Sequence, residues 1–510
     1  MPGISVSTGV RVGPSGVDTA PSSTLFIAGT ADKGPIDKAR LVLSMPQFES
    51  IYGKYTSATT LWDSVKTFFE EGGTRCYVAR TAGPQGTGAT LLKKATITVP
   101  DGSAGVTLTL TAKSEGTWAN ASASKLGLSA VVTVLSGAVS IEISYAGAVV
   151  FSAGPFVNET LSDGNTKYAK QSMVEAINAA PALAELLSAA TGSSLLAPTA
   201  GTYYLAAGYD ATATAAAANV VTALSLFDYD YGDGAVAAPG FPGATMWDGL
   251  RDHAIANRRI ALCASAIGTD KATAIDNADA YWGATAADRE KASYMAWYWP
   301  SVKVPDGYGS TRDQSPEAYV AAARAKAHKT TGPWRAGAGE ISTARYVSGL
   351  YNEVTRADAL SLDLNRINAL RVIGGAVRVY GARSLSADET NWRFITYRET
   401  LNYITARAEA ALEPLVFRPI DGRGNLFATT AATLTALMEP IRIGGGVYEG
   451  VNQTTGRIVD PGYSIDVSSA NNPVSQLANG QVTAAVGVRV SPVADQYKLT
   501  ITKSTLTATV

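Results

Sequence analysis

The sequence predicts a multidomain protein of mixed α/β and α+β class, and three observations support this expectation. The 510 residues exceed the roughly 250–300 that one hydrophobic core supports. A buried strand, a loop, an amphipathic helix and a second strand open the folded part of the chain, as in α/β proteins. A long Thr-, Ala-, Ser- and Gly-rich stretch then interrupts this pattern, which indicates a β-rich domain inserted into the α/β core.

The predicted α/β core covers residues 21–85 and 210–390. Residues 24–28 and 75–80 are short apolar runs typical of buried strands. Between them, apolar residues recur at helical spacing on one face: Leu61, Trp62, Val65, Phe68 and Phe69. The same pattern of apolar strands and amphipathic helices resumes after residue 210, so the two stretches are expected to form one unit.

The interrupting stretch, residues 86–209, is expected to form the inserted β-rich domain. Strand-like segments such as TITV and SAVVTV alternate with glycine turns, and charge is sparse. One run, residues 172–190, has the composition of a helix. Insertions survive where few contacts cross the boundary, so this domain is expected to face outward.

Apolar and polar residues alternate at both ends of the chain, as they do in β-strands. In the N-terminal arm, residues 1–20, the apolar positions share one parity: Ile4, Val6, Val10 and Val12. In residues 481–510 the matching positions are Val486, Val488 and Val490, followed by Leu499 and Ile501. No nearby hairpin turn supplies a partner for the N-terminal run, and the C-terminal run offers a matching apolar edge. The partner strands therefore need not come from the same chain, and we expect the terminal strands to be exchanged between chains.

Residues 391–480 are expected to form a C-terminal α+β domain. Two amphipathic helices are predicted there, one ending before Pro414 and one before Pro440. Arg398, Arg407 and Glu409 fall on the polar side of the first helix. We expect these three side chains to be exposed and available for contacts with another protein.

The composition and motifs argue against several functions. With 42 basic and 43 acidic residues the net charge is −1, which does not indicate nucleic-acid binding. Neither a signal peptide nor an apolar stretch of about 18 residues is evident, so we expect no membrane insertion. Cys76 and Cys263 lie in apolar runs and are expected as buried thiols in a reducing compartment.

No catalytic, cofactor or metal site is predicted. His253 and His328 have no second ligand at metal spacing, and we expect them to be solvated or capping residues. The loop from Gly29 to Pro35 has phosphate-loop glycine spacing, but Pro35 replaces the lysine. The aspartates of LFDYDYGDG fail the calcium-loop spacing.

Several segments resemble contractile phage tail sheath proteins. They are PGISVS, STLFIAGTADKGP, LVLSMPQFESIYG, LWDSVKTFFEEGGTRCYVAR, EGTWAN, LAAGYDA, YGDGAVAAPG, YWPSVKVPD, GPWRAGAG, RVYGARSLS, NWRFITYRETLNYI and NGQVTAAVGVRVSPVADQYKLTIT. They follow the family's order and cover nearly all of the chain outside residues 121–205. The number and order of these segments favour the family.

The resemblance implies a structural subunit of a contractile tail, not an enzyme. Such subunits stack as six-fold rings around an inner tube, exchange terminal strands, and contract to drive the tube through a cell envelope. The implied partners are copies of the chain, the tube protein, and baseplate and tail terminator proteins, in a virion tail assembled in the host cytoplasm. Both amphipathic helices and the longest alternating run lie in the C-terminal unit, so we expect this unit to face the tube, with Arg398, Arg407 and Glu409 as tube contacts. A surface-layer or adhesin-type protein, or an α/β nucleotide-dependent enzyme, are the alternatives.

Overall fold

The computed structural model describes residues 21–83, 92–306, 309–501 and 503. The predicted N-terminal arm, with Ile4, Val6, Val10 and Val12, lies outside the described residues.

The regular elements are given in chain order. Up to residue 211 they are β1 (Leu25–Thr30), β2 (Arg40–Val42), α1 (Met45–Tyr52), α2 (Leu61–Glu70), β3 (Cys76–Thr81), β4 (Lys94–Pro100), β5 (Val106–Glu115), β6 (Leu128–Leu135), β7 (Ala138–Tyr145), β8 (Ala148–Phe156), β9 (Glu159–Thr160), β10 (Thr166–Lys167), α3 (Ala169–Ala179), β11 (Leu187–Thr191) and β12 (Gly201–Tyr204). From residue 212 to 394 they are α4 (Ala217–Leu224), β13 (Gly234–Ala237), α5 (Ala244–Ala256), β14 (Arg259–Ala264), α6 (Lys271–Asp279), α7 (Ala286–Ala292), β15 (Met295–Trp299), β16 (Val302–Pro305), β17 (Thr311–Gln314), α8 (Glu317–Thr330), β18 (Gly349–Leu350), α9 (Arg356–Leu364), β19 (Ile367–Ile373) and β20 (Ala376–Tyr380). The last are α10 (Ile395–Leu412), α11 (Asn425–Ile443), β21 (Gly450–Val451), β22 (Ile458–Asp460), β23 (Tyr463–Asp466), α12 (Val474–Ala478) and β24 (Ala485–Val488).

An eight-stranded sheet forms the centre of the molecule, in the order β2-β3-β1-β13-β14-β15-β19-β20. The six inner strands are parallel, and the two edge strands, β2 and β20, run antiparallel to their neighbours. β1, β14 and β15 are buried along their whole length. Parallel strands covered on both faces read as continuous apolar runs, which is why these strands were visible in the sequence.

Helices cover both faces of this sheet. Because side chains alternate along a strand, Leu25 and Ile27 of β1 join a core with α1, α2 and α8. Phe26 and Ala28 join a second core with α4, α5, α6 and α9 on the other face. The predicted helix with Leu61 and its neighbours is present as α2, and the mixed α/β class is confirmed.

Residues 92–211 form sheets that share no strand with the central one. Their strand orders are β12-β6-β7-β8, β11-β5-β4 and β10-β9, and they enclose a separate apolar cluster around Leu110, Leu128 and Met173. The chain leaves the core after β3 and returns beside it, where the Ala211 N–H donates to the Ala82 carbonyl at 3.0 Å.

The helix predicted over residues 172–190 is wrong in its second half. α3 ends at Ala179, because Pro181 has no N–H to continue the helical hydrogen bonds and starts a short 3₁₀ turn instead. The following LSAAT segment is β11, which pairs antiparallel with β5. Its small residues suit either state, so local composition could not decide between them.

The C-terminal unit combines α10, α11 and α12 with the last four strands. Its buried apolar cluster is small and consists of Ile404, Met438, Ile441 and Val447. α11 does not end before Pro440 as predicted but continues to Ile443. A proline in the last turn removes one hydrogen bond only, and the Gly444 N–H closes the turn on the Pro440 carbonyl at 2.9 Å.

Cys76 and Cys263 are buried free thiols, as predicted, and burial raises the pKa of each. Within the described ranges, no helix is both long and apolar enough to cross a bilayer.

Candidate assembly interface

The most unusual surface of the molecule is the hairpin formed by β23 and β24. The two strands pair antiparallel, with Val488 opposite Tyr463 and Val486 opposite Ile465. Beyond the hairpin, Val490 forms a bridge with Val447. The inner face is anchored, since Val486 and Val488 pack against the cluster that contains Met438 and Ile441.

Backbone hydrogen bonds show which edge of β24 is open. The Arg489 N–H donates to the Gly462 carbonyl and the Tyr448 N–H donates to the Arg489 carbonyl, both at 2.8 Å. Residues 485, 487 and 489 therefore direct their backbone groups toward the hairpin partner, and Val486, Val488 and Val490 direct theirs away from it.

No strand of the described chain lies against that outer edge of β24, nor against the outer edge of β23. An isolated two-stranded hairpin is marginally stable in water, and unpaired strand edges are templates for another strand. The edge positions identified from sequence alternation are Val486, Val488 and Val490. Their N–H and C=O groups pair with no other strand of the described chain.

The tail after the hairpin has no regular structure up to residue 501. Three large side chains on it are almost fully exposed: Tyr497 (92%), Leu499 (81%) and Ile501 (84%). The strand expected at Leu499 and Ile501 is not formed in the single chain, because nothing within the described residues pairs with it. The tail is held at one point, where Asp495 forms an ion pair with Arg393 at 2.7 Å.

The expectation that Arg398 and Arg407 are exposed is wrong. Arg398 is buried, and it donates from Nε to the Ser293 hydroxyl at 2.9 Å and from Nη1 to the Tyr294 hydroxyl at 3.2 Å. Arg407 is largely buried and its Nη1 donates to Asp233 Oδ1 at 3.0 Å. Both arginines lie on the side of α10 that faces the α/β core.

Glu409 is half-exposed but already has partners. It accepts a hydrogen bond from the Tyr229 hydroxyl at 2.7 Å and forms an ion pair with Arg258. The Arg258 guanidinium holds the pKa of Glu409 below its usual value. α10 is therefore packed on both sides, with an apolar face toward α11 and a polar face toward the core. Helical periodicity alone could not distinguish a polar face packed against the core from one exposed to solvent.

Trp334 is an interface residue that the sequence reasoning missed. Its Nε1–H donates to the Gly444 carbonyl at 2.8 Å, and its ring lies so close to Gly446 that a Cβ there would approach it to 2.7 Å. The loop after α8 is thereby fixed to the C-terminal unit. A lone tryptophan between glycines, in GPWRAGAG, was the available signal.

His328 is buried, not solvated as predicted. Its Nδ1 lies 3.1 Å from the Ser22 hydroxyl and its Nε2 lies 3.3 Å from Glu399 Oε2. Arg324 pairs with the same Glu399 and donates from Nη1 to the Ser22 carbonyl at 2.8 Å. Burial and the neighbouring guanidinium lower the pKa of His328. We call Ser22, Arg324, His328 and Glu399 the arm-root cluster, because Ser22 is the second residue after the predicted arm.

His253 also lies within the protein and is neutral. Its Nε2 is 2.8 Å from Arg259 Nη1, and burial followed by this positive charge lowers the pKa of His253 to about 3. The guanidinium of Arg259 stacks on the ring of Phe26 at 3.6 Å from its centroid.

This arrangement predicts a pH dependence of stability. The folded pKa of His253 is below its ordinary value, so the unfolded chain binds one more proton between about pH 6.5 and pH 3. The free energy of unfolding is therefore highest above pH 6.5 and falls as the pH decreases. We expect His253→Gln to reduce the loss between pH 7 and pH 5 by about 2 kcal/mol.

Urea unfolding of the unassembled chain at several pH values measures this effect. His328 remains in both proteins, so the comparison isolates His253. An unchanged pH profile in the variant would contradict the assignment.

The two loops that partly resemble a phosphate-binding loop and a calcium-binding loop have structural roles. The Gly34 N–H donates to the Ser114 hydroxyl at 2.9 Å, and a Cβ on Gly29 would meet Thr60 at 2.5 Å, so the loop is filled by protein. Asp228 caps a 3₁₀ turn by accepting from the Asp230 N–H. Among the described residues, no group of three or more His, Cys, Asp or Glu side chains could hold a metal ion.

One buried arginine links the core to the β-rich segment. Arg80 is fully buried, and it donates to the carbonyls of Ala31, Gly34 and Glu115 at 3.0, 2.9 and 3.1 Å and to Asp210 at 3.0 Å. Buried polar contacts therefore cross the boundary between the core and the β-rich segment at Arg80.

A buried lysine lies at the same junction. Lys33 is positioned over the rings of Trp118 and Tyr145, at 5.4 and 5.2 Å from their centroids. Burial lowers the pKa of Lys33 to about 8. The tryptophan of EGTWAN thus packs at the point where the β-rich segment meets the core.

Solved structures similar to this fold include contractile sheath proteins. The chain resembles the anti-feeding prophage helical sheath in its contracted state, with a TM-score of 0.53 and 14% identity over 99% of both chains. It also resembles the sheath tail protein Lin1278 from Listeria innocua, with a TM-score of 0.57 and 12% identity over 88% of this chain and 89% of that one. A third similar structure is the sheath complex of the PVC extracellular contractile injection system, at 0.53 and 14% over 99% of both.

No protein-family model and no curated protein matches the sequence. The fold expected from the sequence resemblance, that of contractile tail sheath proteins, is confirmed.

Proposed function

We propose that the protein is a structural subunit of a contractile tail sheath. It polymerises as stacked six-fold rings around an inner tube and contracts to drive that tube through a cell envelope. The observation that carries the proposal is the likeness in fold to a helical sheath over 99% of both chains. No feature of the fold favours an adhesin or a nucleotide-dependent enzyme.

The proposed partners are copies of the same chain, the inner tube protein, and baseplate and tail terminator proteins. The proposed location is the tail of a virion or injection particle, assembled in the bacterial cytoplasm. The role requires no catalysis, cofactor or nucleic acid. The residues that matter in it are those of the subunit contacts.

Negative-stain electron microscopy of the purified full chain tests the proposal. A sheath subunit is expected to form hollow tubes with an inner diameter wide enough for a second tube. A protein that stays monomeric at every concentration and ionic strength, with an intact circular dichroism spectrum, would refute the proposed role.

We propose that the terminal strands are exchanged between subunits, with the open edge of β24 as the acceptor. Val486, Val488 and Val490 offer free backbone groups there. The exposed Leu499 and Ile501 supply an apolar segment that pairs with no strand in the described part of the chain. Strand addition satisfies both, at about 0.5–1.5 kcal/mol for each hydrogen bond.

We propose that residues 86–209 form an outward-facing domain that assembly does not need. Replacing residues 84–209 by a short Gly/Ser bridge is expected to leave tubes intact, because the chain ends meet where Ala211 bonds to Ala82. Asp210 is kept, so Arg80 retains a countercharge. Electron microscopy measures the result, and a folded variant without tubes would contradict the proposal.

We propose that the C-terminal unit, residues 391–480, faces the tube. Since Arg398 and Arg407 are engaged with the core, the α10–α11 connection is the better candidate contact. Phe417 at its tip is completely exposed (101%), beside the half-exposed Val416 and the exposed Arg418.

A photo-reactive phenylalanine at position 417 is expected to cross-link to the tube protein in assembled particles. The matched control is the same residue at position 135, an exposed leucine at a hairpin end of the β-rich segment. Cross-links from position 417 to sheath copies alone, with none to the tube, would contradict the placement.

A further inference from the structure

Two arginines face each other at one edge of the central sheet. Arg371 of β19 and Arg378 of β20 are directly opposite in the antiparallel register, so their side chains lie on one face, with Cβ atoms about 5 Å apart. Like charges in this position destabilise a sheet. No carboxylate of the described chain forms an ion pair with either guanidinium. The arginine pair therefore lacks the anion that would offset its repulsion.

Both arginines are half-buried and held in position. The Nε atom of each is covered by protein and has no hydrogen-bond partner within the described residues. The guanidinium carbon of Arg371 lies 5.0 Å from the centroid of the Tyr380 ring. The terminal nitrogens are therefore the groups that can reach a partner. An arginine that packing has already positioned loses little freedom when a carboxylate binds it.

The backbone of β20 is not open to another strand. The Ala344 N–H donates to the Val377 carbonyl at 2.9 Å, and the Val379 N–H donates to the Ser342 hydroxyl at 3.0 Å. Residues 342–344 thus cover the outer edge of β20, in contrast to the open edge of β24. A partner at this place has to be bound by side chains.

The same face of the sheet carries two aspartates without a cation. Asp276 and Asp279 of α6 are exposed, on the side of the helix that is turned away from the sheet. No basic side chain of the described chain pairs with either carboxylate. The lysine of α6 does not neutralise them, because Lys271 pairs with Asp358 of α9 at 2.6 Å.

The spacing of this aspartate pair matches that of the arginine pair. Residues three apart on a helix have Cβ atoms about 5–6 Å apart, and opposite residues of two strands about 4.5–5.5 Å. Asp248 and Asp252 of α5 are also exposed on one helix, but Arg251 pairs with both of them. The α6 aspartates are therefore the better match.

The two pairs are not joined within one chain. α6 packs on β15 and α9 packs on the neighbouring strand β19, so α9 lies between the aspartates and the arginines. A contact between the two pairs has to join two copies, and it uses a different surface of each copy. Such head-to-tail contacts close into rings when the rotation between copies permits it.

We propose that Arg371 and Arg378 of one copy bind Asp276 and Asp279 of a second copy of the chain. Two guanidiniums then face two carboxylates at matching spacing, and the repulsion across β19 and β20 is offset. This contact is separate from strand exchange. It rests on the proposed sheath role only in requiring that copies associate.

Charge reversal in two variants tests the contact, measured by sedimentation velocity of the full chain. One variant carries Arg371→Glu and Arg378→Glu, and the other carries Asp276→Lys and Asp279→Lys. Each variant alone has two surfaces of like charge, so its self-association constant is expected to fall at least about tenfold. An equal mixture is expected to restore association, because every contact between the two variants joins opposite charges.

The matched control is the variant with Arg345→Glu and Arg356→Glu. It changes the net charge by the same amount at two other exposed arginines, and it is expected to associate like the unaltered chain. High salt gives a second check. At about 1 M the Debye length falls to about 3 Å, so the difference between the arginine variant and the unaltered chain is expected to shrink.

Arg371→Glu alone separates assembly from folding. It places a carboxylate opposite Arg378, so the chain gains an ion pair between β19 and β20. We expect the urea midpoint of the unassembled chain to rise while self-association falls. An arginine with a structural role alone would change both quantities in the same direction.

Electron microscopy of the same samples distinguishes this contact from the sheath role. Association that mixing restores, but without tubes, would support the contact and refute the sheath role. Tubes formed by each charge-reversal variant alone, as readily as by the unaltered chain, would overturn the contact and leave the sheath role in place. Failure of the mixture to associate more strongly than its components would also overturn the contact.

Discussion

Val488→Pro is expected to abolish tube formation while leaving a soluble, folded subunit. The Val488 N–H points to the open edge of β24, so proline removes a donor for which the described residues offer no acceptor. The intrachain bonds of the hairpin come from the neighbouring residues, such as Arg489 to Gly462, and should survive. Only pairing with a strand from another copy is blocked.

The matched control is Val488→Thr, which keeps the N–H and a β-branched shape. It is expected to form tubes of normal length, seen by electron microscopy and by pelleting. Circular dichroism and the urea midpoint of the unassembled chain report whether Val488→Pro remains folded. Normal polymerisation of the proline variant would show that the edge of β24 is not an acceptor strand.

Arg80→Met is expected to lower the free energy of unfolding by about 3–5 kcal/mol. The arginine has no exposed surface and bonds to three carbonyls and to Asp210. Methionine fills much of the volume but leaves buried oxygen atoms without donors, and each of these costs free energy. Urea unfolding of the unassembled chain measures the change.

Arg40→Met is the matched control, because Arg40 also connects the core to the β-rich segment. It pairs with Glu185 at 2.5 Å, but both side chains are about one third exposed. Exposed ion pairs contribute little, so a loss of less than about 1 kcal/mol is expected. Equal effects of the two substitutions would mean that burial at Arg80 is not what matters.

Elements with one strong signal were predictable from the sequence. β1, β3, β14 and β15 are apolar because both of their faces are covered, and α2 carries a clear apolar stripe. The helix prediction for the residues after Pro181 was wrong because small residues suit a strand or a helix equally. The prediction that the helix ends before Pro440 was wrong because a proline is compatible with the last turn of a helix when the following glycines close that turn.

The candidate site was predictable only in part. Alternation identified Val486 and Val488 as strand residues. Which edge of the strand is open depends on its pairing with β23, and local composition does not reveal that tertiary contact. Arg398 and Arg407 were placed in solvent because periodicity identifies a polar face of α10 and not what covers it.

The arm-root cluster has a mechanical consequence. Ser22 is held through its carbonyl by Arg324 of α8 and through its hydroxyl by His328, while Glu399 of α10 binds both of these side chains. A pull that reaches Ser22 along the chain is delivered at once to a helix of the α/β core and to the first helix of the C-terminal unit. The force is therefore shared by the α/β core and the C-terminal unit. A pull on Ser22 alone does not displace one unit from the other.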